Sequence, residues 1–150
     1  MDRVTLPALS IKEPYVSLIL RGWTRRGVHK RKTCETRSWN TNHRGKLVIV
    51  TSRAIDDAGM VANFQKLGGI MFPLGRAVGI VNVTECHKMD VEDEDAACVE
   101  WRQGLYAWSV DVVRIFTSDE QFNVTGKLRL FDVSVPEGLT IPRIKKSLIK

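Results

Sequence analysis

The sequence has few of the features that stabilise or localise a chain by covalent or membrane chemistry. Its 150 residues include three cysteines, Cys34, Cys86 and Cys98, and none forms a C-x-x-C unit. Neither a complete disulfide framework nor a closed zinc site is therefore expected. No stretch approaches the ~18 consecutive apolar residues of a transmembrane helix, and the first residues lack the apolar core of a signal peptide. We expect an intracellular protein, cytoplasmic or (in a eukaryote) nuclear, with no membrane contact, cofactor or metal.

The composition that remains is typical of one globular domain. Hydrophobic residues make up 43% of the chain and charged residues 27%, as in ordinary soluble domains. A chain of this length can bury a core without disulfides. We expect a domain over residues 1–136, a basic C-terminal tail over 137–150, and a monomer.

The charge is unevenly distributed. Twenty-three Lys and Arg residues against seventeen Asp and Glu residues give a net charge of +6, which indicates a polyanionic partner. Residues 21–46 contain nine cations and a single acid, Glu35, whereas residues 85–100 contain seven acids and one cation, Lys88. The basic segment predicts a nucleic-acid contact. The acidic segment is interpreted as a solvated surface, with docking of a basic protein partner as the alternative.

The pattern of apolar residues predicts an α+β domain with about six mostly antiparallel strands and two or three helices. One helix is expected to begin near Pro14 and end at Gly22, a second to cover 54–67, and a short third to follow the acidic segment. Residues 23–31 lack an apolar period and are expected to form a loop. The predicted strands cover 4–11, 34–39, 47–50, 77–83, 106–116 and 127–135.

The block from Lys32 to Lys46 contains the candidate site. On a strand, Glu35, Arg37 and Trp39 would share one face. A carboxylate, a guanidinium and an indole can together bind a nucleobase through hydrogen bonds and stacking. The alternative is that Glu35 and Arg37 only pair with each other while Trp39 packs in the core.

Several segments of the sequence resemble the ASCH domain, over roughly residues 5–135. The similarity lies in Ala8-Leu9-Ser10-Ile11-Lys12-Glu13-Pro14-Tyr15, Leu18-Ile19-Leu20-Arg21-Gly22, Lys32…Glu35…Arg37-Ser38-Trp39 and Arg44-Gly45-Lys46-Leu47. The Arg-Ser-Trp and His43-Arg44-Gly45 patterns are most similar to the ASCH module of a eukaryotic transcription coactivator. This resemblance implies the small β-barrel of the PUA-like superfamily.

The resemblance also implies binding of nucleic acid through a cleft lined by Lys32, Glu35 and Arg37. RNA is the main expected ligand, and DNA is the alternative. Together with the neighbouring charges, the predicted nucleic-acid-binding residues are Lys12, Arg25, Arg26, Lys30, Arg31, Lys32, Glu35, Arg37, Trp39, Arg44 and Lys46. If the protein is instead a hydrolase of RNA or of an acylated nucleoside, Lys32 and Glu35 are the predicted catalytic residues.

Two departures from the family pattern bear on these predictions. Gly22 precedes Lys32 by ten residues, which implies a basic insertion that we interpret as a loop gripping the nucleic-acid backbone; a tolerated surface insertion is the alternative. In amidohydrolase members a threonine follows the lysine by three residues, but this chain has Glu35 there. A hydroxyl nucleophile is missing at that position, so a binding module is favoured over an enzyme.

Other chemistry-bearing residues give weaker signals. No two of His29, His43 and His87 have the spacing of metal ligands on a helix. Cys34 and Cys86 are interpreted as buried apolar residues. Tyr106 and Trp108 share a strand face and fit either core packing or a stacking surface.

Overall fold

The fold is built on one large sheet. The computed structural model describes residues 2–69 and 71–144. Nine strands are present in that part of the chain: β1 (Arg3–Glu13), β2 (Trp23–Arg25), β3 (Val28–Lys30), β4 (Cys34–Arg37), β5 (Gly45–Ile55), β6 (Arg76–Lys88), β7 (Tyr106–Ile115), β8 (Phe122–Asn123) and β9 (Phe131–Pro136). Seven of them form a sheet in the order β4-β7-β6-β5-β1-β9, with β8 paired to β6. Among the pairs formed by these strands, only that of β1 and β5 is parallel.

Short helices flank this sheet. They are α1 (Tyr15–Leu20), α2 (Asp57–Ala62) and α3 (Glu94–Ala97), with 3-10 turns at Phe64–Lys66, Val91–Asp93 and Glu137–Leu139. The α+β class and the mostly antiparallel sheet are confirmed. The expected closed barrel is corrected, because β4 and β9 remain the two edges of the sheet among the described residues.

Both faces of the sheet are buried, which explains the continuous apolar run in β5. Leu47 and Ile49 pack in one cluster with α1 and Trp108. Val48 and Val50, which point the other way on the same strand, pack in a second cluster that includes Val133 and Val135 of β9. A strand that is buried on both faces has a continuous run of apolar residues in its sequence and does not alternate between apolar and polar residues.

A buried carboxylate positions the start of α1. Glu13 is 0% exposed. Its side chain accepts hydrogen bonds from the backbone N–H and hydroxyl of Ser17 at 2.7 and 2.6 Å and from the Phe72 N–H at 3.0 Å. Gly22, at φ +69°, follows the last turn as predicted, since a left-handed residue after a helix favours glycine. The two ends of α1 are therefore fixed by side-chain and backbone chemistry that the sequence displays.

Several element boundaries differ from the sequence prediction. The expected loop at 23–31 is wrong, because β2 and β3 pair there as a hairpin. The expected helix over 54–67 is divided, since its first residues extend β5 and its last form a 3-10 turn. Pro7 is tolerated inside β1 because at that point β1 pairs only with β9, so no ladder bond to β5 needs its missing N–H.

The chain beyond Pro136 makes specific contacts in its first residues. The Arg143 guanidinium lies 2.7 Å from Glu120, which also binds Arg114 at 2.6 Å. Burial opposes ionisation of Glu120, but the hydrogen bonds from these two arginines lower its pKa to about 2. The last lysines of the predicted basic tail, at 145–150, lie outside the described residues, and the boundary at residue 136 stays a prediction.

We predict that Glu13→Ala lowers the free energy of unfolding by about 3 kcal/mol, because it leaves buried donors on Ser17 and Phe72 without an acceptor. Urea denaturation monitored by tryptophan fluorescence measures this change. Ser17→Ala removes one hydroxyl but leaves the Glu13 carboxylate in place, and should cost only about 1 kcal/mol. Equal losses from the two variants would contradict the structural role of the carboxylate.

Candidate functional site

A cavity of about 880 Å³ lies along the unpaired edge of β1. Strand β9 pairs with β1 only from Arg3 to Ala8, so the following residues, Leu9 to Lys12, border the cavity instead. The other walls come from β4, from the end of β5, and from segments 99–105 and 125–129. The cavity therefore occupies the gap that would be closed in a complete barrel. We call it the seam cleft.

A side chain, and not a strand ladder, bridges this gap. Nη2 of Arg37 on β4 donates to the carbonyl oxygen of Ser10 on β1 at 3.0 Å. Segment 125–129 crosses close to the same place, where a Cβ on Gly126 would lie 2.8 Å from the Ser10 hydroxyl. The small size of glycine therefore lets the segment approach β1 closely and form a wall of the seam cleft.

The floor of the seam cleft holds a buried ammonium group. Lys32 is 1% exposed. Its Nζ donates to the carbonyl oxygen of Ala97, lies 3.5 Å from Oε1 of Glu35, and faces the ring of Tyr15 at 5.1 Å. The backbone fixes this position, because the N–H of Lys32 donates to the Leu18 carbonyl at 2.9 Å. A buried charge requires such partners.

Glu35 joins the ammonium to the guanidinium of Arg37. Its Oε2 accepts from Nε and Nη2 of Arg37 at 3.2 and 2.9 Å, while its Oε1 faces Lys32. The carboxylate is therefore held between two cations on the floor. Arg37 keeps Nη1 without a hydrogen bond to the described residues, so this donor can serve a ligand.

Tyr15 and Asp56 form a second polar pair in the same cavity. The tyrosine hydroxyl donates to Oδ2 of Asp56 at 3.2 Å, and Oδ1 of Asp56 caps α2 by accepting from the Gly59 N–H at 3.0 Å. Burial, and then the nearby Asp56 carboxylate, raise the pKa of Tyr15 to about 12. A Cβ on Gly59 would meet the Tyr15 hydroxyl at 2.5 Å, so glycine at this point of α2 lets the ring keep its place.

The rim of the seam cleft is cationic. Seven Lys and Arg residues line the cavity against three acids. Lys12, Arg53, Arg102 and Lys127 are exposed there, and within residues 2–69 and 71–144 they make no ion pair. Arg129 lies over the Trp39 ring at 4.9 Å. The charges of the floor thus pair with one another, apart from Nη1 of Arg37, which makes no hydrogen bond to the described residues, whereas the rim cations are available to an anion.

The sequence prediction located part of this site. Lys12, Lys32, Glu35 and Arg37 line the seam cleft. The structure adds residues from separate segments that the prediction missed: Tyr15, Arg53, Asp56, Arg102, Lys127 and Arg129. Most of them stand on loops or strand ends, where no local periodicity marks them. The basic character of residues 127–129 was the signal that could have pointed to that wall.

The predicted common face of Glu35, Arg37 and Trp39 is wrong for Trp39. Strand β4 ends at Arg37, so alternation does not continue to residue 39. Trp39 instead packs edge-on against Trp108, with ring centroids 4.7 Å apart and planes at 87°. The alternative of a Glu35–Arg37 pair with Trp39 against the core describes these contacts, but the pair still borders an open cavity.

The other predicted binding residues lie away from the seam cleft. Arg25, Arg26, Lys30 and Arg31 border a different groove on the β2–β3 hairpin, so the basic insertion does not line the seam cleft, and its role in gripping a nucleic-acid backbone stays a prediction. Arg44 donates to the carbonyls of Thr41 and His43 in its own loop. Lys46 lies at the start of β5, where it pairs in register with Asn82.

The remaining candidate residues, two aromatic residues and two cysteines, are buried or half-buried in the fold. Trp108 is 0% exposed and belongs to the core, while Tyr106 is half-buried. Cys34 is buried as predicted, and burial raises its thiol pKa to about 12; Cys86 is only half-buried.

The acidic segment is more ordered than a solvated loop. His87 lies 2.7 Å from Glu85 and 2.8 Å from Asp93, and the hydrogen bonds that its ring donates to Asp93 and Glu85 raise its pKa. Asp90 and Asp93 form a capping box at the 3-10 turn that leads into α3. The segment thereby positions α3, whose Ala97 carbonyl binds Lys32.

Comparison with known families agrees with the sequence resemblance. The family model of the ASCH domain matches residues 9–129 of the 150-residue chain, so the chain belongs to the ASCH domain family. A search among curated proteins finds no match. The similarity to a coactivator module stays a prediction. None of the helices in the described part of the chain is long and apolar enough to cross a membrane.

We predict that Tyr15 ionises near pH 12 in the folded protein, since burial and Asp56 both favour the neutral phenol. The variant Tyr106→Phe leaves Tyr15 as the single tyrosine, and phenolate absorbance after a rapid pH jump reports its ionisation. Adding Asp56→Asn, which keeps a helix cap, should move the midpoint back towards 10.

The same shift predicts a stability change at high pH. Because the pKa is higher in the folded than in the unfolded state, this group's stabilisation is complete below about pH 10 and lost as the pH rises through 12. A folded-state midpoint near the ordinary tyrosine value of about 10 would contradict the Tyr15–Asp56 pair.

Proposed function

We propose that the seam cleft binds single-stranded nucleic acid, with RNA as the expected ligand, by accepting one base into the cavity. The observation that carries this proposal is a nucleotide-sized cavity whose floor is polar and satisfied and whose rim holds unpaired cations. Cavities of about 300–1,000 Å³ accommodate small molecules, and the seam cleft falls within that range. Lys12, Arg53, Arg102 and Lys127 would then contact phosphates.

The floor offers groups suited to a base edge and a base face. An ionised carboxylate has about four acceptor sites, so Glu35 can accept from an exocyclic amine while it holds Lys32 and Arg37. The Nη1 of Arg37 can donate to a base carbonyl, and the Tyr15 ring supplies an aromatic surface. A base must leave its helix to make such contacts, which favours a single strand over a duplex.

The contacts of Lys32 and Glu35 favour binding over hydrolysis. A general base or nucleophile in this cavity would need a group free to take or give a proton at the substrate. Lys32 is held by Ala97 and Glu35, and Glu35 is held from both sides by cations. Thr36 does line the cavity, so hydrolysis of RNA or of an acylated nucleoside remains the second function to assay.

We predict that Lys12→Gln combined with Lys127→Gln weakens binding of a fluorescent oligouridylate and reduces its salt dependence. Each phosphate contact on a single strand contributes about −0.7 to the slope of log K against log salt. Loss of two contacts should therefore make the slope shallower by about 1.4. Fluorescence anisotropy at several salt concentrations measures both quantities.

A matched variant removes the same charge elsewhere. Lys46→Gln with Lys88→Gln also neutralises two lysines, but neither residue lines the seam cleft. The slope of log K against log salt should change less in this control than in the cleft variant, Lys12→Gln with Lys127→Gln. If both double variants shift the slope equally, the charge effect is general and the seam cleft is not the binding site.

A further inference from the structure

The β2–β3 hairpin and segment 61–66 form a second surface rich in aromatic and basic side chains. We call it the hairpin surface. We infer that it binds a single strand of nucleic acid on its own, by stacking bases on Phe64 and Trp23 while nearby cations contact the phosphates. This inference rests on the proposed function for the class of ligand, but it concerns different residues.

The geometry of the hairpin places two of its cations on the same face as Trp23. Arg26 and Gly27 have φ values of +53° and +78°, the signature of a tight type I′ turn. Trp23 pairs with Lys30 and Arg25 pairs with Val28, so these four residues share one face. That face borders a groove of about 900 Å³.

Aromatic side chains adjoin this face. Phe64, in the 3-10 turn after α2, is 74% exposed. Trp23 lies between two neighbouring grooves, one along the hairpin and one along segment 61–66, and Lys66 Nζ lies 5.0 Å above its ring. Exposed aromatic rings flanked by Lys and Arg are the elements with which proteins bind single strands, because every base presents a face for stacking.

The cations of the hairpin surface have no acidic partner among residues 2–69 and 71–144. Its cations are Arg25, Arg26, Lys30, Arg31 and Lys66, and the one acid that borders the same groove is Asp95. Among the described residues none of these cations forms an ion pair with an acid; Arg31 donates only to the Leu20 carbonyl. Like charges on a short ribbon repel one another, so an anionic ligand would stabilise the hairpin.

The hairpin surface is separate from the seam cleft. No residue that lines the seam cleft also borders either groove of the hairpin surface. Variants on one surface therefore leave the other intact. An acidic peptide would satisfy the charges but would make no comparable use of the two aromatic rings.

The first test separates stacking from apolar contact. Phe64→Ala should weaken binding of an oligouridylate of about 12 nucleotides by about tenfold, the range expected for one stacked base. Phe64→Leu keeps an apolar side chain without the ring and should weaken binding similarly. Val61→Ala, a truncation at another strongly exposed position of segment 61–66, should change affinity by less than about twofold.

The second test counts phosphates and maps the contact. Arg25→Gln, Arg26→Gln and Lys30→Gln together should reduce the salt slope by about two. Cross-linking with 4-thiouridine oligonucleotides, followed by mass spectrometry, should identify peptides that contain Trp23 or Phe64. All the substituted side chains are exposed, and a thermal unfolding curve that matches wild type would show that each variant folds.

The outcomes distinguish this inference from the proposed function. If the cleft variant weakens binding while the Phe64 and hairpin variants do not, the hairpin surface is excluded and the seam cleft remains. If the opposite pattern is found, the inference stands and the proposed site fails. Absence of any nucleic-acid binding overturns both proposals. Polyglutamate can also be used to displace bound oligonucleotide. If it does so from the Phe64→Ala variant as readily as from wild type, binding depends on charge alone, and the stacking part of the inference is overturned.

Discussion

The buried ammonium of Lys32 is the constraint on which the site depends. A lysine that is 1% exposed is stable only where its charge is matched by acceptors and anions. The Ala97 carbonyl comes from α3, the Glu35 carboxylate from β4, and the Tyr15 ring from α1. Three separate elements, of which α3 is distant in sequence from the other two, must therefore meet at one atom. Their meeting fixes the floor of the seam cleft before any ligand is present.

The incomplete barrel follows from the same arrangement. Strand β4 has only four residues, and its cationic and acidic side chains project into the gap beside β1. Arg37 spans that gap to Ser10, where a strand ladder would otherwise run. A closed ladder would remove the cavity, whereas a side-chain bridge leaves room for a ligand while it still limits the separation of the two strands. The hydrogen bond from Arg37 to Ser10 thus maintains the opening, which is a feature of the fold and not a packing defect.

The sequence predicted the parts of this site that are encoded locally. Lys32, Glu35 and Arg37 lie within six residues of one another, so a strand pattern and a family resemblance were enough to group them. Trp39 was placed wrongly because alternation was extended beyond the end of β4. The rim residues Arg53 and Arg102 come from segments far apart in the chain and depend on how the sheet curls, which no short pattern reports. The hairpin was missed because it contains no apolar alternation, although Arg26-Gly27 at its turn is a recognisable signal.

The seam cleft and the hairpin surface differ in how their charges are arranged. This difference would give the seam cleft selectivity among bases and the hairpin surface affinity for a phosphate backbone. In the floor of the seam cleft each charge already has a protein partner, so a ligand gains little from charge alone and is selected by the hydrogen bonds and stacking that remain. On the hairpin the cations make no ion pair with the residues that the structure describes, so a bound phosphate backbone would gain from them, and that gain would fall as salt rises. On the two proposals, the floor, whose charges are paired within the protein, would discriminate between bases, whereas the exposed cations of the hairpin would accommodate different sequences.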